Sequence, residues 1–226
     1  MAETKLKTQA IDATTLRNGW VDAGEAWSYA SATSITVPSG AASKYAKGDR
    51  IKLTQTTVKY FVVVGVADTT LTITGGTSYT FANAAVSENY YSHEASPVGY
   101  PEYFSYTVTA TVPGGKAPTY ADQSSAFSIT GNTCHFKVYL SNTSGGTAGS
   151  TSNLLMYSLP VAPAGSVSLL GMGVLYEQDI ATIRGLWCRN GGSSTFYLHT
   201  YDGNNQVGTD QSSVNRYLHA NLVYAI

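Results

Sequence analysis

The chain has 226 residues, enough for one large β-domain or two small ones with hydrophobic cores of their own. Charged residues make up 12% of it, while Ser and Thr together exceed a fifth and Gly and Tyr number 22 and 17, a profile that suits short strands with tight turns and disfavours long charged helices. Thirteen basic residues against fourteen acidic ones leave a net charge of -1, so neither nucleic acid nor an anionic membrane is an expected partner, and no run approaches the roughly 18 apolar residues of a membrane helix.

Residues 1–19 read as an attachment arm. Leu6, Ala10, Ala13 and Leu16 have roughly helical spacing, but Thr14-Thr15 and Asn18-Gly19 weaken a helix, and an arm that orders on a neighbour is equally consistent with the pattern. The opening MAETKLKTQAIDATT lacks the apolar stretch of a signal peptide, so synthesis in a cytoplasm is expected.

Residues 20–92 read as a small β-module. Trp20, Trp27 and Tyr29 give its core aromatic cover, and Ser34 to Val37 is a short strand ended by Pro38-Ser39-Gly40. After the turn at Lys47-Gly48-Asp49, Ile51 and Leu53 alternate with Arg50, Lys52 and Thr54, the period of a half-buried strand. Tyr60 to Val66 is a continuous β-branched apolar run and predicts the central strand. Asp68 turns the chain into Leu71 and Ile73, which alternate with threonines until Gly75-Gly76, completing a hairpin.

Residues 93–105, with two prolines and a glycine among aromatics, read as a linker. Residues 106–226 then read as a β-sandwich. Tyr106, Val108, Ala110 and Val112 share one side of a strand, as do Cys134, Phe136, Val138 and Leu140 of the next, whose other side carries His135, Lys137 and Tyr139. Ser141 to Ser152 is a Ser/Thr/Gly tract expected to be a surface loop, with its Asn142-Thr143-Ser144 acceptor pattern as a loop end. Strands follow at Leu154 to Ser158, Val167 to Tyr176, Ile180 to Cys188, Thr195 to Tyr201 and Leu218 to Ile226. Many short strands with no convincing helix between them predict an all-β chain, a small N-terminal β-barrel-like module followed by an antiparallel jelly-roll-type β-sandwich.

Catalytic patterns fail one by one. Gly114-Gly115-Lys116 lacks both the hydroxyl residue and the leading glycine of a phosphate loop, and Gly171-Met172-Gly173 has Tyr176 where a dinucleotide fingerprint needs glycine. The four histidines, His93, His135, His199 and His219, lack metal-ligand spacing and are expected on solvent-facing strand positions. Glu177 and Asp179 read as a surface turn, and Asp202 to Asp210 as a hairpin tip rather than a calcium loop. Cys134 and Cys188 lie on apolar strand-like runs and read as buried free thiols rather than a disulfide. No catalytic residue, metal or cofactor is expected. The surface that suits a ligand is the strand face carrying Tyr197, His199 and Tyr201, opposite the inward Phe196 and Leu198, with Asp202 and Asn204 at its tip, a set fit for stacking and hydrogen bonding to a sugar.

Over about its first hundred residues, the ordered run LKTQAIDATTLRNGW, EAWSYAS, GDRIKLTQTTVKYFVVVGV, DTTLTITGG and YYSHEASPVGYPEYFSY resembles a family of tailed-bacteriophage virion proteins that includes fibre-like, tail and head-decorating components. Related chains often have Gly-Phe-Pro where Gly99-Tyr100-Pro101 stands here. The resemblance implies a non-enzymatic virion structural protein, held by its N-terminal part to other virion proteins, assembled with itself as a homotrimer, and displaying its C-terminal sandwich. The second half resembles the family only in style, so its binding partner is not carried over, and a host-surface glycan is suggested only by the polar hairpin tips at Asn142 to Ser152 and Asp202 to Asp210. The alternative is a stand-alone, lectin-like carbohydrate-binding sandwich.

Overall fold

Alternation of apolar and polar residues drives nearly every ordered segment into strands. The computed structural model, which describes residues 18–112, 116–144, 155–165, 169–177, 182–192, 194–200 and 216–226, is all-β with two antiparallel sheets, of the expected sandwich- and barrel-like class. The chain divides into two units, the first ending at Glu102 and the second starting at Tyr103 and adding the short excursion Gly76–Ser78. Of the expected arm only Asn18 and Gly19 lie within the described residues.

The first unit contains β1 (Val21–Asp22), β2 (Ser28–Ser31), β3 (Ser34–Thr36), a single 3-10 turn at Ala41–Ser43, β4 (Arg50–Thr54), β5 (Val58–Ala67), β6 (Thr70–Thr74) and β7 (Ser87–Ser92). They form one seven-stranded sheet in the order β1-β7-β4-β5-β6-β3-β2. Its edge strands β1 and β2 are consecutive in sequence, with Asp22 and Ser28 bounding the connection. Such a connection spans at most about 20 Å, whereas the edges of a flat seven-stranded sheet would lie about 29 Å apart. The sheet must therefore curl, and its concave side is filled by Ile35, Ile51, Leu53, Phe61, Val63, Leu71, Ile73 and Phe81, with Trp27 and Tyr45.

The valine run is the central strand, between β4 and β6, and Val66 pairs with Leu71 and Ala67 with Thr70 around the two-residue turn at Asp68. The Asp68 carboxylate accepts hydrogen bonds from the Gly40 N–H (2.9 Å) and the Ser39 hydroxyl (2.7 Å), which hold its pKa below the ordinary value. Two assignments differ from expectation. Arg50, read on the polar side of its strand, is buried. Its guanidinium donates to the Gly48 and Ala95 carbonyls (2.8 and 3.0 Å) and lies over the Tyr100 ring, contacts that offset the cost of its burial. The segment read as linker is likewise tied into this unit up to Glu102: Val98 N–H donates to Asn18 O, Trp20 Nε1 to Val98 O, and the Tyr100 hydroxyl to Phe61 O. Isolated backbone and side-chain hydrogen bonds, rather than a strand, order it.

The second unit holds β8 (Phe104–Ser105), β9 (Ala110–Thr111), β10 (Thr119–Gln123), β11 (Ala126–Thr130), β12 (Thr133–Ser144), β13 (Met156–Ser158), β14 (Leu169–Glu177), β15 (Thr182–Gly192), β16 (Thr195–Thr200) and β17 (Arg216–Ala225). Their order is β8-β11-β12-β17-β14-β15-β16-β13-β9, with β10 also paired to β12. Counted along that order, β13 is five strands from β12, which in a flat sheet would be about 24 Å. Tyr120 of β10 and Tyr157 of β13 nevertheless have ring centres 6.3 Å apart, so the sheet folds over on itself. Phe127, Cys134, Phe136, Leu140, Leu186, Cys188, Phe196, Leu198 and Leu222 are buried in this unit. Tyr106 and Tyr224 are anchored by donating their hydroxyls to Leu159 O and Val161 O, at 2.9 and 3.0 Å.

Three local readings change here. Tyr106 to Thr109 is not a strand, because Tyr106 N–H bonds to Ser125 O and the Val108 and Thr109 N–H groups are taken by the Gln123 and Ser158 side chains in place of a ladder. The Ser/Thr tract starts as strand, since Ser141 and Asn142 continue the β12–β17 ladder opposite Tyr217 and Arg216; residues 145–152 lie outside the described residues. β10 and β11 were not predicted. Gly171 and Gly173 owe their identity to packing, because a Cβ on either would stand 2.1 Å from Asn221 O or 2.7 Å from His219 O across the β14–β17 pair.

Candidate functional site

Strand register assembles a broad outer face on the second unit. One row runs across five strands through Lys137, Asn221, Met172, Trp187 and His199, each the cross-strand partner of the next. Adjacent rows carry Tyr139, His219 and Val174, and Arg189, Tyr197 and Met156. Because strand side chains alternate, the intervening Phe136, Leu222, Cys188 and Leu198 all point into the core, where they are buried.

Of the expected ligand residues, Tyr197 and His199 share this face and are half-buried, with ring centres 5.2 Å apart, while Phe196 and Leu198 are buried as expected. Burial and the charge of Arg189 hold the His199 pKa below the ordinary imidazole value, so near neutral pH the ring is uncharged. Its Nε2 is buried without a hydrogen-bond partner. Arg189 reaches toward the Tyr197 ring, 6.0 Å from its centre. Tyr201, Asp202 and Asn204 lie outside the described residues, so the pair is not joined to its expected tip. Sequence reasoning missed Trp187, which stands cross-strand from His199 and is partly exposed. Its signal was the alternation of Leu186 and Cys188, both buried, around an outward tryptophan.

Further along the same face a cleft of about 330 Å³ opens between Tyr103 and strands β11, β12 and β17. Tyr103, His135, Lys137 and Asn221 supply its side-chain chemistry, with Ser128 and Thr130 on the adjoining strand. The Lys137 ammonium lies 4.4 Å from the centre of the Tyr103 ring, a cation–π contact that holds the aromatic over the cleft. An aromatic plane flanked by hydroxyl, amide, imidazole and ammonium groups can hydrogen-bond a polyhydroxylated ligand and pack against its apolar face.

Titratable clusters in the first unit serve the fold. Glu25 accepts hydrogen bonds from Lys44 Nζ (2.8 Å), Trp27 Nε1 (3.0 Å) and the Tyr45 hydroxyl. Burial works to raise the Glu25 pKa, but those bonds and the Lys44 charge outweigh it and leave the carboxyl below its ordinary range. The same burial and the neighbouring carboxylate push the Tyr45 phenol far up, so it remains a donor. Asp49 accepts from Ala46 N–H at 2.8 Å and lies 2.8 Å from His93 Nδ1. Cys134 and Cys188 are buried free thiols, and burial pushes their pKa values up to about 11 and about 12. His135 and His219 are exposed on strands, whereas His93 follows the end of β7. The Glu177 side chain and Asp179 lie outside the described residues.

No known protein family, curated protein or solved structure matches the chain.

Proposed function

We propose that the chain is a non-enzymatic structural protein of a tailed-phage particle, attached by its N-terminal part and displaying the second unit toward a host-surface glycan. The cleft beneath Tyr103 carries the display half of this reading: it combines an aromatic plane with hydroxyl, amide and cationic donors, and is large enough to admit a sugar ring. Attachment rests on the resemblance of the first hundred residues to virion proteins. Fibre, tail and capsid decoration are the positions that resemblance allows.

The display half is tested with the full-length protein on a panel of neutral and acidic glycans and on intact bacterial cells. Wild type should retain a defined subset, and Tyr103→Ala and Lys137→Ala should each weaken retention about tenfold or more, the loss expected when a stacking or charged contact worth about 1.5 kcal/mol is removed. Retention unaffected by both substitutions would take the cleft out of the function. The same cleft also suits a stand-alone lectin. That reading is separated by particle incorporation, which a lectin does not need.

A further inference from the structure

The outer face carries a second feature that the cleft does not explain. Leu169, Met172, Val174 and Tyr176 on β14 and Ile183 and Trp187 on β15 are from 38% to 69% exposed, with Ile183 and Met172 the most open. Register makes them one patch, since Met172 pairs with Trp187 and Tyr176 with Ile183, and Val174 lies between those rows. A fully exposed large apolar side chain presents about 180 Å², so the six leave on the order of 500 Å² open to water. That is the size of the largest patches monomers tolerate, and roughly two-thirds of what one partner contributes to a standard interface. Around it stand Arg189, His219 and Asn221, giving an apolar centre within a polar rim.

We infer that this β14–β15 face packs against further copies of the same chain. Two observations select a second copy over another partner. Two such faces laid together would bury on the order of 1,000 Å², the least that a specific interface needs, so a second copy supplies the area without any other protein. A net charge of -1 also leaves little repulsion between copies. The inference goes beyond the proposed function and does not depend on where the chain acts.

Light scattering and mass photometry of the full chain should give a stable whole multiple of 23.9 kDa. Met172→Glu combined with Ile183→Asp should convert it to the single-chain mass with unchanged circular dichroism, while Val98→Glu, at an exposed position of the first unit, should leave the assembly intact. Should the double variant fail to fold, the wild-type chain still decides. Trp20 and Trp27 are buried and Trp187 is not, so in the assembled wild-type chain Trp187 should be covered and acrylamide should quench tryptophan emission only weakly. A wild-type monomer at high concentration, strong quenching of the assembled chain, or an oligomer indifferent to the double substitution would overturn the inference. Binding of a monomer to lipid vesicles would assign the face to a membrane surface instead.

Discussion

Replacing Glu25 with alanine removes the acceptor on which three donors of the first unit converge, Lys44 Nζ, Trp27 Nε1 and the Tyr45 hydroxyl. The site is largely shielded, with side-chain exposures of 18% for Glu25 and 28% for Lys44, so water replaces the lost bonds only in part. A hydrogen bond to a charged group contributes about 1.5–3 kcal/mol, and three that share one carboxylate are not additive, which puts the expected loss at about 2–4 kcal/mol. Glu25→Gln keeps an acceptor oxygen and loses the charge, so it should cost about half as much. Urea unfolding followed by tryptophan emission reads this directly, because Trp27 is both a member of the cluster and buried in the core. The effect also has a sign in pH. A carboxyl whose folded pKa lies below its unfolded value of about 4.3 contributes stability that is complete above that pH and is lost as pH falls through the folded value. Wild type should therefore lose stability below about pH 4.3, and Glu25→Gln should flatten that slope. A loss under about 0.5 kcal/mol for Glu25→Ala would mean that the cluster behaves as an ordinary surface ion pair, and the reasoning would fail.

Gly171→Ala should destabilise the second unit by about 2 kcal/mol or more in thermal unfolding, since its Cβ would meet backbone across the β14–β17 pair, whereas a small effect would mean that the pair can slide apart. Neither thiol should react with a disulfide reagent at pH 8 in the folded protein, and both should react once it is unfolded, because Cys134 and Cys188 are buried with raised pKa values; rapid labelling of folded protein would contradict that burial.

Periodicity made the strands legible where a strand buries one face. Ile51, Leu53, Leu71 and Ile73, and the Cys134-to-Leu140 row, point inward as their spacing predicted. It failed where hydrogen bonding rather than apolar spacing decides conformation. Val108 and Val112 are buried on the predicted side, yet side chains from Gln123 and Ser158 cap the N–H groups that a ladder would use near Val108 and Thr109. β7, with the sequence SENYYS, carries no clean alternation and is recruited because β4 and β1 both need a neighbour. Arg50 was misplaced because alternation cannot foresee that two carbonyls and a tyrosine ring will receive a guanidinium. For the site, Tyr197 and His199 were legible from one strand. The rows that bring Trp187 beside His199 and Asn221 beside Lys137 depend on pairing β15 with β16 and β17 with β12, and a single strand's spacing holds no information on which strands pair.

Incorporation into a particle tests the central claim most directly. Particles produced with and without the gene for this chain are purified, and the missing protein is added back as the full chain or without residues 1–92. The account predicts that the full chain is found in wild-type particles by mass spectrometry and restores the deficient ones, that the shortened chain does not, and that antibodies against residues 106–226 label intact particles. A full chain that stays in solution while particles form normally, or attachment through residues 106–226 alone, would contradict it.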